Sequence, residues 1–274
     1  MSKIDADEIR LEPRKQASQH GRMKIASWNV NSLNVRLPHV LEFLSGHQPD
    51  VLALQETKTP DEKFPVAAIG AAGYQALFSG QKAYNGVAIL SRRGATECVT
   101  DVPELDDPQR RMLAATAAGV RVINVYVPNG QEVGSEKYAY KFRWLHAFTS
   151  FLKAEIAGRD RLIVLGDFNI APADQDIHDP ARWHEKIMCS TPERKLFQAM
   201  LNLGLVDTVR RLHPDEPMFS WWDYRMNAFK RRWGIRIDHV LATESMQPLR
   251  AGVDAGFRAL ERPSDHAPVW VEFN

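Results

Sequence analysis

The chain has 274 residues, 44% hydrophobic and 25% charged, with a formal net charge of +1 and two cysteines. These proportions describe a globular protein able to bury a substantial core without staples, long for one ordinary domain but within reach of a single large α/β or all-β domain. Cys98 and Cys189 match neither a zinc spacing nor a disulfide framework, so a reducing, cytoplasmic setting is expected. The near-zero charge argues mildly against a polyanion partner, although local basic clusters or a bound divalent cation can reverse that locally.

Residues 1–22 hold no apolar run and nine charged residues, so they read as a disordered leader, not a secretory signal or membrane anchor. The folded part is expected to start at Met23. No later stretch reaches the ~18 apolar residues of a bilayer span. Residues 24–30 alternate as a first strand, and 35–45 carry Leu37, Val40, Leu41 and Leu44 at helical spacing. Residues 50–56 form a second strand, and 73–80 with 85–93 a strand pair. "RMLAATAAGVRVINVYVPNG" reads as two strands around Gly119. Residues 136–157 form the longest helical pattern, followed by the strand "LIVLGDFN". Short helices are expected at 192–203 and 205–212, and strands at 234–242, 252–257 and 266–273. Many strands with few helices, and no internal linker or repeat, give one domain over 23–274: two packed sheets with helices outside.

Polar residues gather at the ends of these strands. Asn29 and Asn31 follow the first strand, Glu56 ends "VLALQE", and Tyr126 and Asn129 close "NVYVPNG". Asp167 and Asn169 end "LIVLGDFN", Asp238 lies in "RIDHV", and Asp265 and His266 sit where the last strand begins. Side chains at i and i+2 of a strand share a face, so Asp167 and Asn169 are expected to point the same way. Each residue alone is an ordinary turn former or buried polar group; together they mark a site if the strands converge. An oxygen-rich donor set without a cysteine or histidine cluster suits a hard cation, Mg²⁺ or Mn²⁺, with Glu56 the best single ligand. A carboxylate to activate water, an amide to orient it and a histidine held by an aspartate form an outfit for phosphate-ester hydrolysis.

The segments "ASWNVNSL", "LALQETK", "YNGVAILS", "VYVPNG", "GDFNIAP", "RIDHVL" and "SDHAPV" together closely resemble the exonuclease III family, the bacterial abasic-site endonuclease branch of the endonuclease/exonuclease/phosphatase superfamily. The resemblance runs from Met23 to Phe273. It implies a DNase I-like four-layer α/β sandwich, two central, mainly antiparallel sheets flanked by helices. It implies Glu56, Asn29 and Asp265 at a metal site. Asp167 would be the base for the attacking water and Asn169 its positioner. Tyr126 and His266 would face the phosphate, with Asp238 behind His266. The activity implied is Mg²⁺-dependent incision 5′ to an abasic site, with removal of 3′ nucleotides or blocking groups. Its partner would be double-stranded DNA, abasic or 3′-blocked, bound by a monomer.

Residues 220–238, "SWWDYRMNAFKRRWGIRID", interleave aromatic and basic side chains in a way that suits base stacking and phosphate contact. The resemblance implies a pocket for the abasic sugar in this region, with Trp221, Ile235 and Ile237 as its walls and Asn129 a further substrate contact. Arg92, Arg93, Arg110 and Arg111 are candidate backbone contacts. Gln131 and Glu132 follow VYVPNG, where Glu132 would repel phosphate. Members of the family it resembles divide abasic-site incision and 3′-terminal work differently, and the resemblance places His178, Arg182 and Trp183 in loops that could set that choice. A mainly 3′ exonuclease, another phosphoesterase of the superfamily and a non-catalytic binding protein on the same fold remain as alternatives.

Overall fold

A strand such as 162–165 has no polar face, so it must be covered on both sides. The computed structural model, which describes residues 22–274, achieves this with four layers. The expected leader thus falls, apart from Arg22, outside the described residues. The strands are β1 Met23–Asn29, β2 Val51–Gln55, β3 Gln75–Ser79, β4 Val87–Ser91, β5 Ala95–Thr100, β6 Met112–Ala117, β7 Val120–Tyr126, β8 Leu162–Asp167, β9 Leu205–Asp207, β10 Asp238–Thr243, β11 Pro248–Val253 and β12 Val269–Phe273. The α-helices are α1 Leu33–His47, α2 Val66–Ala71, α3 Glu136–Ala157, α4 Pro180–Trp183, α5 Thr191–Leu201 and α6 Thr208–Leu212. Two six-stranded sheets result, ordered β11-β12-β1-β2-β4-β3 and β5-β6-β7-β8-β10-β9.

Alternation along each strand feeds two layers at once. Ala53 of β2 and Ile163 and Leu165 of β8 meet between the sheets. Leu52 and Leu54 face outward onto Val40, Phe43 and Leu44 of α1. Leu162 and Val164 face outward onto Trp144, Phe148 and Leu152 of α3. Each such fully buried valine, leucine, isoleucine or phenylalanine contributes about 2 kcal/mol of transfer free energy. α3 starts where Ser135 Oγ accepts from the Tyr138 N–H, the N-cap arrangement that satisfies an otherwise free donor. One polar bridge crosses the apolar middle. Asn124 Nδ2 of β7 donates to the carbonyls of Leu54 and Ala88, both at 2.9 Å, and its Oδ1 accepts from Gln55 Nε2 at 2.7 Å. Buried amides so engaged fix how the two sheets slide relative to one another.

Strand direction locates the site. β1 and β2 run parallel in one sheet, as do β7 and β8 in the other. All four carboxyl ends meet at one end of the sandwich. β10 starts there, so Tyr126, Asp167 and Asp238 lie side by side in register.

Some expected boundaries shift. Residues 205–207 form the edge strand β9 against β10, and the helix starts only at Thr208; the pairing is long-range and outweighs local helical pattern. The strand expected over 234–242 starts at Asp238, because Ile235 makes only isolated bridges to Ile177 and Trp221. Residues 252–257 split between the end of β11 and a 3₁₀ turn, Ala255–Ala259, whose N-cap Asp254 accepts from Gly256. The edge strand β5, largely exposed, carries no hydrophobic alternation to announce it.

Candidate active site

Three chain segments leave their strands by the same device. Asn29 Oδ1 accepts from the Asn31 N–H at 3.0 Å, Asn129 Oδ1 from Gln131 at 3.1 Å, and Asp167 Oδ1 from Asn169 at 2.9 Å. In each of these Asx turns the residue two positions on sits at positive φ: Asn31 at 44°, Gln131 at 62° and Asn169 at 50°. Asn169 therefore reaches the site through a turn beyond β8, not by strand alternation as its spacing predicts. Glu56, just past β2, is likewise at φ 50°. Gly166 lets β8 press against β7, since a Cβ there would lie 1.9 Å from the Val125 carbonyl oxygen.

The last of these turns spends one oxygen of Asp167 and leaves the other facing the site. Asn29 Nδ2 donates both to that oxygen, Asp167 Oδ2, at 2.9 Å and to Glu56 Oε1 at 2.8 Å. One amide thus spans two carboxylates from different sheets. Glu56 Oε2 lies 3.0 Å from Lys58 Nζ. His266 Nδ1 bonds Asp238 Oδ2 at 2.8 Å, and its Nε2 lies 3.7 Å from Asp167 Oδ2, beyond hydrogen-bond length. Ser220 Oγ donates to Asp238 Oδ2 at 2.6 Å. Asn169 Oδ1 accepts from Asn129 Nδ2 at 2.9 Å, and its Nδ2 donates to the Val127 carbonyl at 3.0 Å. This leaves Asn169 one N–H and one lone pair for a further partner.

Burial, opposed by His266 and reinforced by Asp238 and Glu56, raises the Asp167 carboxyl above the usual carboxylate range. For His266, burial alone would favour the neutral ring, but the Asp238 and then the Asp167 charge outweigh it and hold the imidazole protonated. Burial, then the charges of Glu56 and Asp167, push the Tyr126 phenol well up, so it stays a neutral donor. The Arg111 guanidinium lies over its ring at 4.6 Å.

Glu56, Asp167 and His266 each offer a ligand atom within 4.8 Å of the others. The oxygen donors and the excess of negative charge fit a hard divalent cation. The protonated ring of His266, bonded at Nδ1, fits contact with an anion better than ligation. Asp265, expected at the metal, has Oδ1 engaged by Asn31 Nδ2 at 2.9 Å and Oδ2 by Trp221 Nε1 at 3.1 Å. It orients those two side chains at the rim of the cavity it lines.

That cavity measures about 380 Å³ and is also lined by Glu56, Tyr126, Asn129, Asp167, Asn169, Trp221 and His266. It shares residues with a polar groove of about 580 Å³ carrying Lys58, Arg111 and Lys137. On its other side it shares Trp183, Trp221 and Arg225 with an aromatic groove of about 440 Å³ that also carries His178, Arg182 and Trp233. The three form one trough across the strand ends. Ile237 lines the central cavity, whereas Ile235 lies fully buried in the small core beneath Trp221. Gln131 lines the polar groove and Glu132 is exposed beside it. Arg111 lies in that groove, and Arg110 is paired with Asp101. Arg92 and Arg93 follow Ser91, which pairs with Val51 at the start of β2, so they stand at the opposite end of the sheet from the site.

Sequence reasoning missed Ser220 and Lys141. Lys141 heads the buried stripe of α3, with Trp144, Leu145, Phe148 and Leu152; a lysine in register with an apolar stripe is the signal that marks it.

A profile of the Endonuclease/Exonuclease/phosphatase family matches residues 26–266. The chain belongs to this family. It is 36% identical over 267 residues to exodeoxyribonuclease III of Haemophilus influenzae, covering 92% of this chain and 100% of that one. It is 52% identical, with a TM-score of 0.91, to a Neisseria enzyme solved as a 3′ phosphatase bound to a product DNA hairpin; the match covers 92% of this chain and 99% of that one. An AP endonuclease from Archaeoglobus fulgidus is 37% identical, with a TM-score of 0.89, over 92% of this chain and 99% of its own. These likenesses extend over both sheets, so the DNase I-like sandwich expected from the motifs is the fold of this family member.

Proposed function

We propose that this chain is a divalent-metal-dependent DNA repair nuclease, a hydrolase of phosphate esters in double-stranded DNA with abasic sites or blocked 3′ ends. The observation that carries this reading is the meeting of Glu56, Asp167 and protonated His266 around one cavity. Glu56 would hold the metal, with Mg²⁺ the favoured ion and Mn²⁺ a substitute. When bound, the ion would neutralise charge on the phosphate and its leaving oxygen.

The protein groups divide the rest of the work. Asp167, its carboxyl raised by burial, accepts the proton of the attacking water. Asn169, held by Asn129 and Val127, orients that water with its remaining N–H or lone pair. His266, braced by Asp238, and the neutral Tyr126 phenol donate to phosphate oxygens and offset their charge. Lys58, Arg111 and Lys137 in the polar groove suit the DNA backbone, and the aromatic groove suits unstacked sugar or base. The higher identity to the 3′ phosphatase than to the AP endonuclease favours work at 3′ termini over abasic-site incision.

The domain is proposed to span 23–274 and to act as a monomer in the cytoplasm. Among the described residues no helix is long and apolar enough to cross a membrane. The test uses three duplexes, one with an abasic site, one with a recessed 3′ end and one with a 3′ phosphate, each with Mg²⁺ and with EDTA. Mg²⁺-dependent turnover of the 3′ substrates is expected. Cleavage that persists in EDTA, or activity on a lipid phosphate instead, would overturn the reading.

A further inference from the structure

Lys141 carries the one charge among the buried residues of α3, and its side chain is fully buried. Its ammonium donates to the carbonyls of Asn169 at 2.7 Å and Asn129 at 3.2 Å and to Glu193 Oε1 at 2.5 Å. All three N–H groups are therefore spent. Glu193, equally buried, is as fully engaged. Its Oε1 also accepts from the Met188 N–H at 3.1 Å. Its Oε2 accepts from the Ser190 N–H at 3.1 Å and from Ser190 Oγ at 2.6 Å, closing the capping box that starts α5.

A buried ion pair is a poor device for stability alone, because desolvating both charges offsets most of their attraction. The geometry shows what else this one does. Its partners belong to three segments, at Asn129, Asn169 and Met188, and each lines the central cavity. With the Asn129 and Asn169 carbonyls drawn to one ammonium, their amide side chains meet each other at 2.9 Å. Packing leaves little slack: a Cβ on Gly130 would lie 3.2 Å from Lys141 Cδ and 2.9 Å from Ile187 Cδ1.

We propose that Lys141 and Glu193 are positioning residues for the hydrolysis, a buried ion pair that sets the Asn129, Asn169 and Met188 segments relative to Asp167. The proposal rests on the nuclease reading above. It touches neither metal nor phosphate; it acts through Asn169, whose placement of water tolerates little error. A displacement of about 1 Å in such a site costs on the order of 100-fold in rate.

The test is the double variant Lys141→Met with Glu193→Gln, which removes both charges and keeps their bulk. Thermal unfolding, DNA affinity by fluorescence anisotropy and single-turnover cleavage of a 3′-phosphate duplex are measured together, with exposed Lys153→Met of α3 as control. The folded double variant is expected to bind DNA within about threefold of wild type and to cleave at least about 30-fold more slowly, with the control unchanged. A folded double variant that cleaves at the wild-type rate would overturn the proposal. If the double variant does not fold, Glu193→Gln alone decides by the same measure: its rate must fall further than its affinity, and equal rates refute the inference. Wild-type protein inactive on the duplex would instead refute the nuclease reading, which separates the two failures.

Discussion

Two buried clusters of charge lie close together in this molecule and behave in opposite ways. At the strand ends Glu56, Asp167 and Asp238 face one protonated imidazole, with Lys58 at the rim, and Asp167 is driven above its ordinary range. Behind the GDFN turn, Asp176 and Asp207 are matched by Arg236 and Arg210. Arg236 Nε lies 2.7 Å from Asp176 and its NH1 2.8 Å from Asp207, with Arg210 2.6 Å from Asp176. Burial would raise Asp176, but the Arg236 charge and hydrogen bonds from both arginines hold it below its ordinary range. Both clusters are hydrogen-bonded. The difference is the balance of sign: matched charges build scaffold, whereas leftover negative charge reserves room for a cation, and burial with no arginine to offset it holds the Asp167 carboxyl above its ordinary range.

Removing one charge should therefore have opposite effects in the two places. Asp167→Asn keeps the Asx turn and the shape, and is expected to cut hydrolysis by about 1000-fold or more. Measured without metal, its unfolding midpoint should equal or exceed the wild type's, because an excess charge has gone; a clear loss of stability would break the comparison. Arg236→Met in the balanced cluster should instead destabilise by about 3–5 kcal/mol, leaving Asp207 without its arginine and Asp176 with Arg210 alone. Denaturant titration reads this directly.

The balanced cluster also sets an acid limit on stability. His239 Nδ1 accepts from Arg236 at 3.0 Å and its Nε2 donates to the Ile170 carbonyl at 2.8 Å. Burial, then the Arg236 charge, lowers it from 6.5 to about 4. A base with a lowered folded pKa binds its proton more readily when unfolded, so its contribution is complete above pH 6.5 and is lost as pH falls toward 4. The full loss is on the order of 3 kcal/mol. His239→Asn should flatten the fall of the unfolding midpoint between pH 7 and 5; an unchanged slope would place the acid sensitivity elsewhere. The smallest effect belongs to the exposed groove. Lys137→Ala should weaken duplex binding mildly and reduce the slope of log affinity against log salt by about 0.9, one phosphate contact.

The sequence made the site more legible than the edges of the fold. Central strands buried on both faces are continuous apolar runs, so β2 and β8 and the residues they deliver, Glu56 and Asp167, stand out. α3 was readable to its ends because a serine cap and an apolar stripe mark it. β5 and β9 were not, because edge strands owe their form to a partner far along the chain. Asn169 was expected in the right place for an incomplete reason: spacing names a strand face, while the structure uses an Asx turn at positive φ. Arg92 and Arg93 were expected to touch the substrate because charge is visible in a sequence and strand direction is not. Lys141 escaped notice because an internal charge looks like a surface one until its three partners converge.

The most direct test of the single hydrolytic centre is a Mg²⁺ titration of 3′-phosphate release by wild type, Glu56→Gln and Asp167→Asn in one assay. Wild type should saturate and fall to baseline in EDTA. Glu56→Gln should need far more Mg²⁺ to reach any activity, and Asp167→Asn should stay flat throughout. A Glu56→Gln curve that overlays the wild type's would contradict the shared centre.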